Sequence, residues 1–200
     1  MSTPISIHQR SYITEAFDEG DGTMRVYGRL TDTKPHGLAI ADGTPLVIHD
    51  MALSMFVEQE TFKILKVEAD MHVHPYGQCR HILDNYSNLA GESIARGYSR
   101  RVKELFGGVG GCQHMGALLI ALGPVAIQAS WSVGRLHDDL ADLLNDDVNP
   151  EDRERHMAMN MNTCHVWAED GENFAMIRRG GSRPMPGWER DRLQDLGVDV

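Results

Sequence analysis

The spacing of apolar residues changes along the chain from every second residue to a helical period, and this change most limits how the chain can fold. In Met24–Thr31 every second residue is apolar, which is typical of a half-buried β-strand. Strand-like runs follow at Pro45–Glu58 and Phe62–Val73. Beyond Pro75 the spacing becomes helical and leads to a long apolar run, Met115–Trp131. This order favours an α+β fold: an antiparallel sheet of three or more strands packed on helices, including one long apolar helix.

The flanking segments complete this outline. Residues 1–20 are polar and predict a loop or an edge strand, and the first strand is expected to break at Asp32. The other predicted elements are helices at Cys79–Ala95, Ser99–Phe106, Cys112–Trp131, Leu136–Leu144 and Glu151–Met161, and a hairpin of Cys164–Ala168 with Asn173–Arg178. We expect a single α+β domain over residues 1–180 and a polar, mobile C-terminal tail over 181–200.

Charge and composition exclude several classes of protein. The net charge of -10 argues against binding to nucleic acid and gives no support for an anionic membrane surface. Gly123-Pro124 interrupts the longest apolar stretch before it reaches the roughly 18 residues of a membrane span. The N-terminus has no signal-peptide pattern, so we expect a cytoplasmic protein with free, metal-bound or reactive cysteines.

Each of the three cysteines lies within five residues of a histidine. Thiolate and imidazole bind zinc or iron, and they also serve as nucleophile and base. The glycine-rich turn 107–111 predicts that Cys112 opens a helix, whose free N–H groups would stabilise a thiolate there. Cys112 with His114 is therefore a metal ligand, a nucleophile or an anion cradle. The alternative is a small residue packed in a tight turn.

His72 and His74 stand two apart at the end of a predicted strand, so they share one face. They predict a zinc site or a base with its orienting partner, and the alternative is an ordinary solvated strand end. We expect His72, His74, Cys79, Cys112 and His114 to lie near one pocket. The complete candidate set is His72, His74, His114 and Tyr76 for catalysis, Lys34, His49, Arg100 and Arg101 for substrate, and His74, Cys79, Cys112, His114 and Cys164 for a metal.

Structural interpretations compete for several of these residues. Asp32 with Lys34 would form a salt-bridged turn, and Arg100 and Arg101 would lie on a solvated helix face. His49 would lie in a bulge or an exposed turn. No dinucleotide fingerprint or phosphate-binding loop is present, so the expected cofactor is zinc or none.

Several motifs together resemble an uncharacterised bacterial family catalogued as a domain of unknown function. They span roughly residues 8 to 178 and comprise Asp32-Thr33-Lys34-Pro35, His49-Asp50-Met51, Pro75 with Cys79, Gly107-Gly108 with Gly111-Cys112-x-His114, Gln128, and Cys164 with Asp170-Gly171. The resemblance implies a setting in aromatic, steroid or acyl-CoA catabolism. Gln113-His114-Met115 departs from the Thr-His-Leu expected after the cysteine. The cysteine placement is more distantly similar to iron–sulfur scaffold proteins.

These observations predict a small cytoplasmic catabolic enzyme. It would be a lyase that uses histidine acid–base chemistry on an aromatic or acyl compound. The alternatives are a zinc-dependent hydrolase or lyase with a Cys/His site, a metal or iron–sulfur carrier without enzyme activity, and a subunit whose cysteines only pack. The expected partners are a small-molecule substrate and a second copy, in a homodimer that buries part of Met115–Trp131. Neither nucleic acid nor membrane is expected.

Overall fold

Alternating side chains build the antiparallel sheet on which the rest of the fold packs. In the computed structural model, β1 (Gln9–Asp18), β2 (Thr23–Lys34), β3 (Leu46–Glu58) and β4 (Ile64–Val73) pair in the order β1-β2-β3-β4. Inward-facing residues of β2 and β3 are buried, and the residues between them are more exposed. The α+β prediction is confirmed.

The structure describes residues 3–95, 97–136, 158, 160–179 and 185–198. They fall into two units, Met1–Leu136 and His137–Val200. The sheet lies in the first unit. The prediction of one domain over residues 1–180 stays a prediction.

The second strand is longer than the sequence pattern predicts. The expected break at Asp32 is wrong, because β2 continues to Lys34. Asp32 follows Leu30 in the alternation and is as fully buried as that leucine. β3 also runs through His49-Asp50 without ending, with irregular register beside Asp50. The buried face of the sheet therefore carries polar side chains at one end.

Helices α1 (Tyr98–Phe106) and α2 (Gln113–Val133) belong to the first unit, and α2 packs on β1, β2 and β3. Glycine at position 28 permits this close packing, since a Cβ there would lie 2.7 Å from a methyl group of Leu122. Six residues of α2 are buried: Met115, Leu118, Leu119, Leu122, Gly123 and Ala126. By length and composition α2 could cross a membrane, a test that the core helices of folded domains also pass. The predicted long apolar helix is confirmed.

Other predicted elements differ from the structure. The segment expected to be a helix over Cys79–Ala95 is a 3₁₀ helix, Gly77–Leu89. The predicted hairpin is wrong: the second unit has a 3₁₀ helix at His165–Trp167 and an α-helix, α3, at Glu172–Arg178. In α3 the acidic first residue and the basic last residue interact favourably with the helix dipole. Two apolar residues three positions apart, Phe174 and Ile177, are buried.

The predicted tail contains a helix, α4 (Gly187–Asp195), which buries Leu193. The helices predicted at Leu136–Leu144 and Glu151–Met161 lie almost entirely outside the described residues.

The turn before α2 depends on the absence of a side chain at Gly111. A Cβ at this position would overlap the carbonyl oxygen of Phe106, which is rigid backbone. We expect Gly111→Ala to lower the free energy of unfolding by about 1–3 kcal/mol, the usual cost of overpacking. Urea denaturation measures it.

Gly116 provides the matched control, because it lies inside α2 with open space around its Cα. We expect Gly116→Ala to stabilise the protein by roughly 0.5–1 kcal/mol through helix propensity. Equal effects of the two substitutions would show that the turn is not sterically constrained.

Candidate active site

One row of side chains crosses three strands at the end of the buried face. Arg10 on β1 is paired in register with Asp32 on β2, and Asp32 is paired with His49 on β3. Directly opposed residues bring their side chains close together. The row therefore places a guanidinium, a carboxylate and an imidazole in contact.

The carboxylate of Asp32 is the centre of this arrangement. Its side chain is 1% exposed, and Arg10 donates to both oxygens, Nε to Oδ1 at 2.6 Å and Nη2 to Oδ2 at 2.7 Å. This two-pronged geometry is the strong form of a carboxylate–arginine pair. Arg10 holds the pKa of Asp32 well below its usual range, despite the opposing effect of burial. Asp32 is therefore ionised at neutral pH.

Two histidines also bond to the same carboxylate. His49 Nδ1 lies 3.0 Å from Asp32 Oδ2, and His8 Nε2 lies 3.2 Å from Oδ1. An ionised carboxylate accepts only, so each imidazole donates through that nitrogen. The other nitrogen of each ring is then free to accept a proton.

His114 reaches the carboxylate from the first turn of α2. Its Nε2 lies 3.5 Å from Asp32 Oδ2, and its ring contacts that of His49 with centroids 4.0 Å apart and planes tilted by 32°. Burial, and then the neighbouring His49 and Arg10, lower the pKa of His114 below 6.5. Its imidazole is therefore neutral at pH 7. We call Arg10, Asp32, His8, His49 and His114 the Asp32 cluster.

Cys112 stands at the edge of this cluster, immediately before α2. Its Sγ lies 3.7 Å from His114 Nδ1, and its backbone N–H donates to the hydroxyl oxygen of Tyr86 at 3.1 Å. Burial raises the pKa of Tyr86 to about 12, so this phenol stays neutral. A buried side chain thus anchors the backbone that carries the thiol.

The cluster also offers a set of metal ligands. Asp32, His49 and His114 can each supply one ligand atom, and these atoms lie within 4.8 Å of one another. Carboxylate and imidazole suit zinc and iron. The guanidinium of Arg10 already occupies the carboxylate, so a cation would share it with a positive charge.

The histidines of β4 lie elsewhere. Met71 is buried, so the next residue, His72, faces the opposite side of the sheet, where its Nδ1 is 3.3 Å from Asp70. His74 is half-buried, and its Nδ1 donates to the carbonyl of Tyr76, an exposed residue, at 2.9 Å. Among the described residues neither histidine has a hydrogen bond or ion pair with the Asp32 cluster. Their catalytic roles, and that of Tyr76, stay predictions.

The remaining sequence candidates are scattered. Cys79 packs against the core, Lys34 is exposed at the end of β2, and Cys164 is exposed in the second unit. Arg100 pairs with Glu104, and Arg101 pairs with Glu92. Of the five residues expected around one pocket, the described contacts join only Cys112 and His114, with His49 beside them.

Three members of the cluster were not predicted as site residues from the sequence: His8, Arg10 and Asp32. The signal was present for Asp32, since the alternation of β2 continues from Leu30 without interruption. A carboxylate at a position that the period assigns to the core requires a buried partner. The sequence does not show that Arg10 is this partner.

Comparison with known proteins identifies the family. Residues 8–128 match the family described as protein of unknown function DUF2889, and the chain belongs to it. The matched residues include the whole Asp32 cluster and Cys112. No curated protein and no solved structure matches the chain.

Asp32→Asn tests the electrostatic role of the carboxylate. The folded pKa of Asp32 lies below its ordinary 3.8, so its stabilisation is present above that pH and is lost as the pH falls further. We expect the variant to lose about 2 kcal/mol at pH 7, less than the 3–5 kcal/mol of a fully buried pair because Arg10 is partly exposed. This difference should shrink in acid. Urea denaturation between about pH 2 and about pH 7 measures it.

Asp50→Asn is the matched control, because Asp50 forms a similar pair with Arg29 and its pKa is also lowered. Both variants should lose stability at neutral pH. Only Asp32→Asn should lower the pKa of His114 further, since the charge of Asp32 raises that pKa. NMR titration of the histidines separates them, and an unchanged His114 in Asp32→Asn would contradict the geometry.

Proposed function

We propose that this protein is an enzyme that uses histidine acid–base chemistry on a small aromatic or acyl compound, with the Asp32 cluster as its active site. A lyase is the reaction class we favour, and a hydrolase is the second. One observation carries the proposal: Asp32 accepts from His49 Nδ1 and leaves Nε2 of that ring available to exchange a proton with a substrate.

The two adjacent imidazoles suit proton transfer. Elimination needs a base to remove one proton and an acid to deliver another. His49 and His114 lie within contact of each other and share the carboxylate that orients them. Because burial keeps His114 neutral, it can accept a proton at pH 7.

Apolar side chains near the cluster support an apolar substrate. Ile5 and Ile7 precede β1, and Leu46 and Val47 open β3, at the same end of the sheet as Asp32. All four are exposed. The aromatic or acyl nature of the substrate also rests on the sequence resemblance described above.

Substitution of the two histidines tests the proposal. We expect His49→Gln and His114→Gln to lower turnover by about 10²–10⁴-fold, the usual contribution of a general acid or base. The assay is a screen of aromatic and acyl compounds with the purified protein. His81→Gln, at an exposed histidine of the 3₁₀ helix, is the matched control and should keep wild-type turnover.

Circular dichroism establishes that each variant is folded. Turnover lost in His72→Gln or His74→Gln but kept in His49→Gln and His114→Gln would place the active site at the end of β4 instead.

The pH profile provides an independent test. A base must be unprotonated, so kcat/KM should fall as the pH drops through the pKa of His114. Burial, His49, Arg10 and His8 lower this pKa and Asp32 raises it, with a net shift below 6.5. We expect the acid limb of the profile below pH 6.5. An acid limb above that value would contradict a desolvated base.

A zinc-dependent hydrolase or lyase is the second candidate function. It is favoured by the convergence of one ligand atom each from Asp32, His49 and His114. Elemental analysis of protein purified without a metal-affinity tag decides between the two. Near one equivalent of zinc that is lost in His114→Gln would support the metal enzyme. Full turnover in metal-free protein would support acid–base catalysis alone.

A further inference from the structure

We propose that Cys112 is the nucleophile of this site and that the enzyme transfers an acyl group through a thioester on its sulfur. The inference rests on the proposed function, because it takes the Asp32 cluster as the active site. It narrows the substrate to an ester or thioester of an apolar acid, and it selects the hydrolase, the second reaction class of that proposal, in place of the lyase.

The imidazole of His114 connects the thiol to the carboxylate. Its Nδ1 lies 3.7 Å from Cys112 Sγ, and its Nε2 lies 3.5 Å from Asp32 Oδ2. When the neutral ring carries its proton on Nε2, the nitrogen on the side of Asp32, Nδ1 is the acceptor that faces the thiol. A nucleophile, a base and a group that orients the base therefore lie side by side in space. This is the arrangement that activates cysteine and serine nucleophiles in unrelated folds.

Separate contacts hold the carboxylate of Asp32 and the backbone of Cys112 in place. Arg10 fixes the carboxylate through two hydrogen bonds, and Tyr86 accepts from the backbone N–H of Cys112. Neither of the other two cysteine thiols, Cys79 and Cys164, has a hydrogen bond to an imidazole within the described part of the chain. The arrangement is thus specific to Cys112.

The chemistry balances without an added oxidant or reductant. The thiol proton passes to His114 Nδ1 as the sulfur attacks the acyl carbon, and the leaving alcohol or thiol departs with the proton from His114. Water then attacks the thioester and gives a proton to His114, and the carbon–sulfur bond breaks as the sulfur takes that proton back. The free carboxylic acid is released. N–H groups in the first turn of α2 lack intrahelical acceptors and can stabilise the oxygen of each tetrahedral intermediate.

The test uses p-nitrophenyl acetate as the acyl donor on the full-length wild-type protein. Peptide mapping by mass spectrometry follows acetyl transfer to each cysteine at times before hydrolysis is complete. The exposed Cys164 is an internal reference thiol. We expect Cys112 to be acetylated at least about tenfold faster than Cys164, because a positioned base assists only Cys112.

His114→Gln should slow acetylation of Cys112 by about tenfold or more and leave that of Cys164 unchanged. Equal acetylation rates at the two cysteines in the wild type, or no effect of His114→Gln on the acetylation of Cys112, would overturn the proposal that Cys112 is the nucleophile. The comparison within the wild type does not depend on the folding of any variant.

Turnover of a substrate found by the screen separates this inference from the proposed function. If Cys112→Ala keeps turnover while His49→Gln and His114→Gln lose it, the acid–base enzyme stands and the nucleophile is wrong. If all three variants lose turnover and Cys112 is acetylated with the help of His114, both are supported. If His49→Gln and His114→Gln keep turnover, the proposed function is wrong, and the inference that rests on it fails too.

Discussion

The ion pair between Arg10 and Asp32 is the interaction on which the site depends. A carboxylate without a partner on the buried face of a sheet would cost several kcal/mol. Arg10 removes that cost by donating to both oxygens from the neighbouring strand. The pair lets β2 continue past Leu30, and it leaves a fixed negative charge that can orient imidazoles from β3 and from α2.

The packing of α2 on the sheet brings the second half of the site to the first. Gly28 lets the helix approach β2 closely, and Gly111 lets the turn before it fold back on Phe106. The first turn of α2 then lies at the strand ends that carry Asp32 and His49. Apolar contacts along the helix thereby position a polar constellation at its start.

One carboxylate unites the chemistries considered for this protein. In the reactions that we propose, Asp32 would orient His49 for acid–base catalysis and support His114 beside the Cys112 thiol, and it would be a ligand if a metal were bound. Arg10 distinguishes among these roles, because its charge favours an ionised orienting group and opposes a second cation. This electrostatic argument leads us to favour the metal-free reactions.

Local sequence determined the antiparallel sheet and the long apolar helix, and it singled out His49, Cys112 and His114 as candidate site residues. Each of these conclusions depends on periodicity or on near neighbours in the chain. Tertiary structure decided which of these side chains meet. Cross-strand register placed Arg10 and His49 on either side of Asp32, and no local pattern encodes register between strands. The same limit explains His72 and His74: their spacing showed a shared strand, while the buried Met71 decided that His72 faces away from the core. Which face of a strand is buried depends on the element that packs on it, and this is decided by the tertiary structure. The sequence therefore predicts the fold class, but it does not predict which side chains form the site.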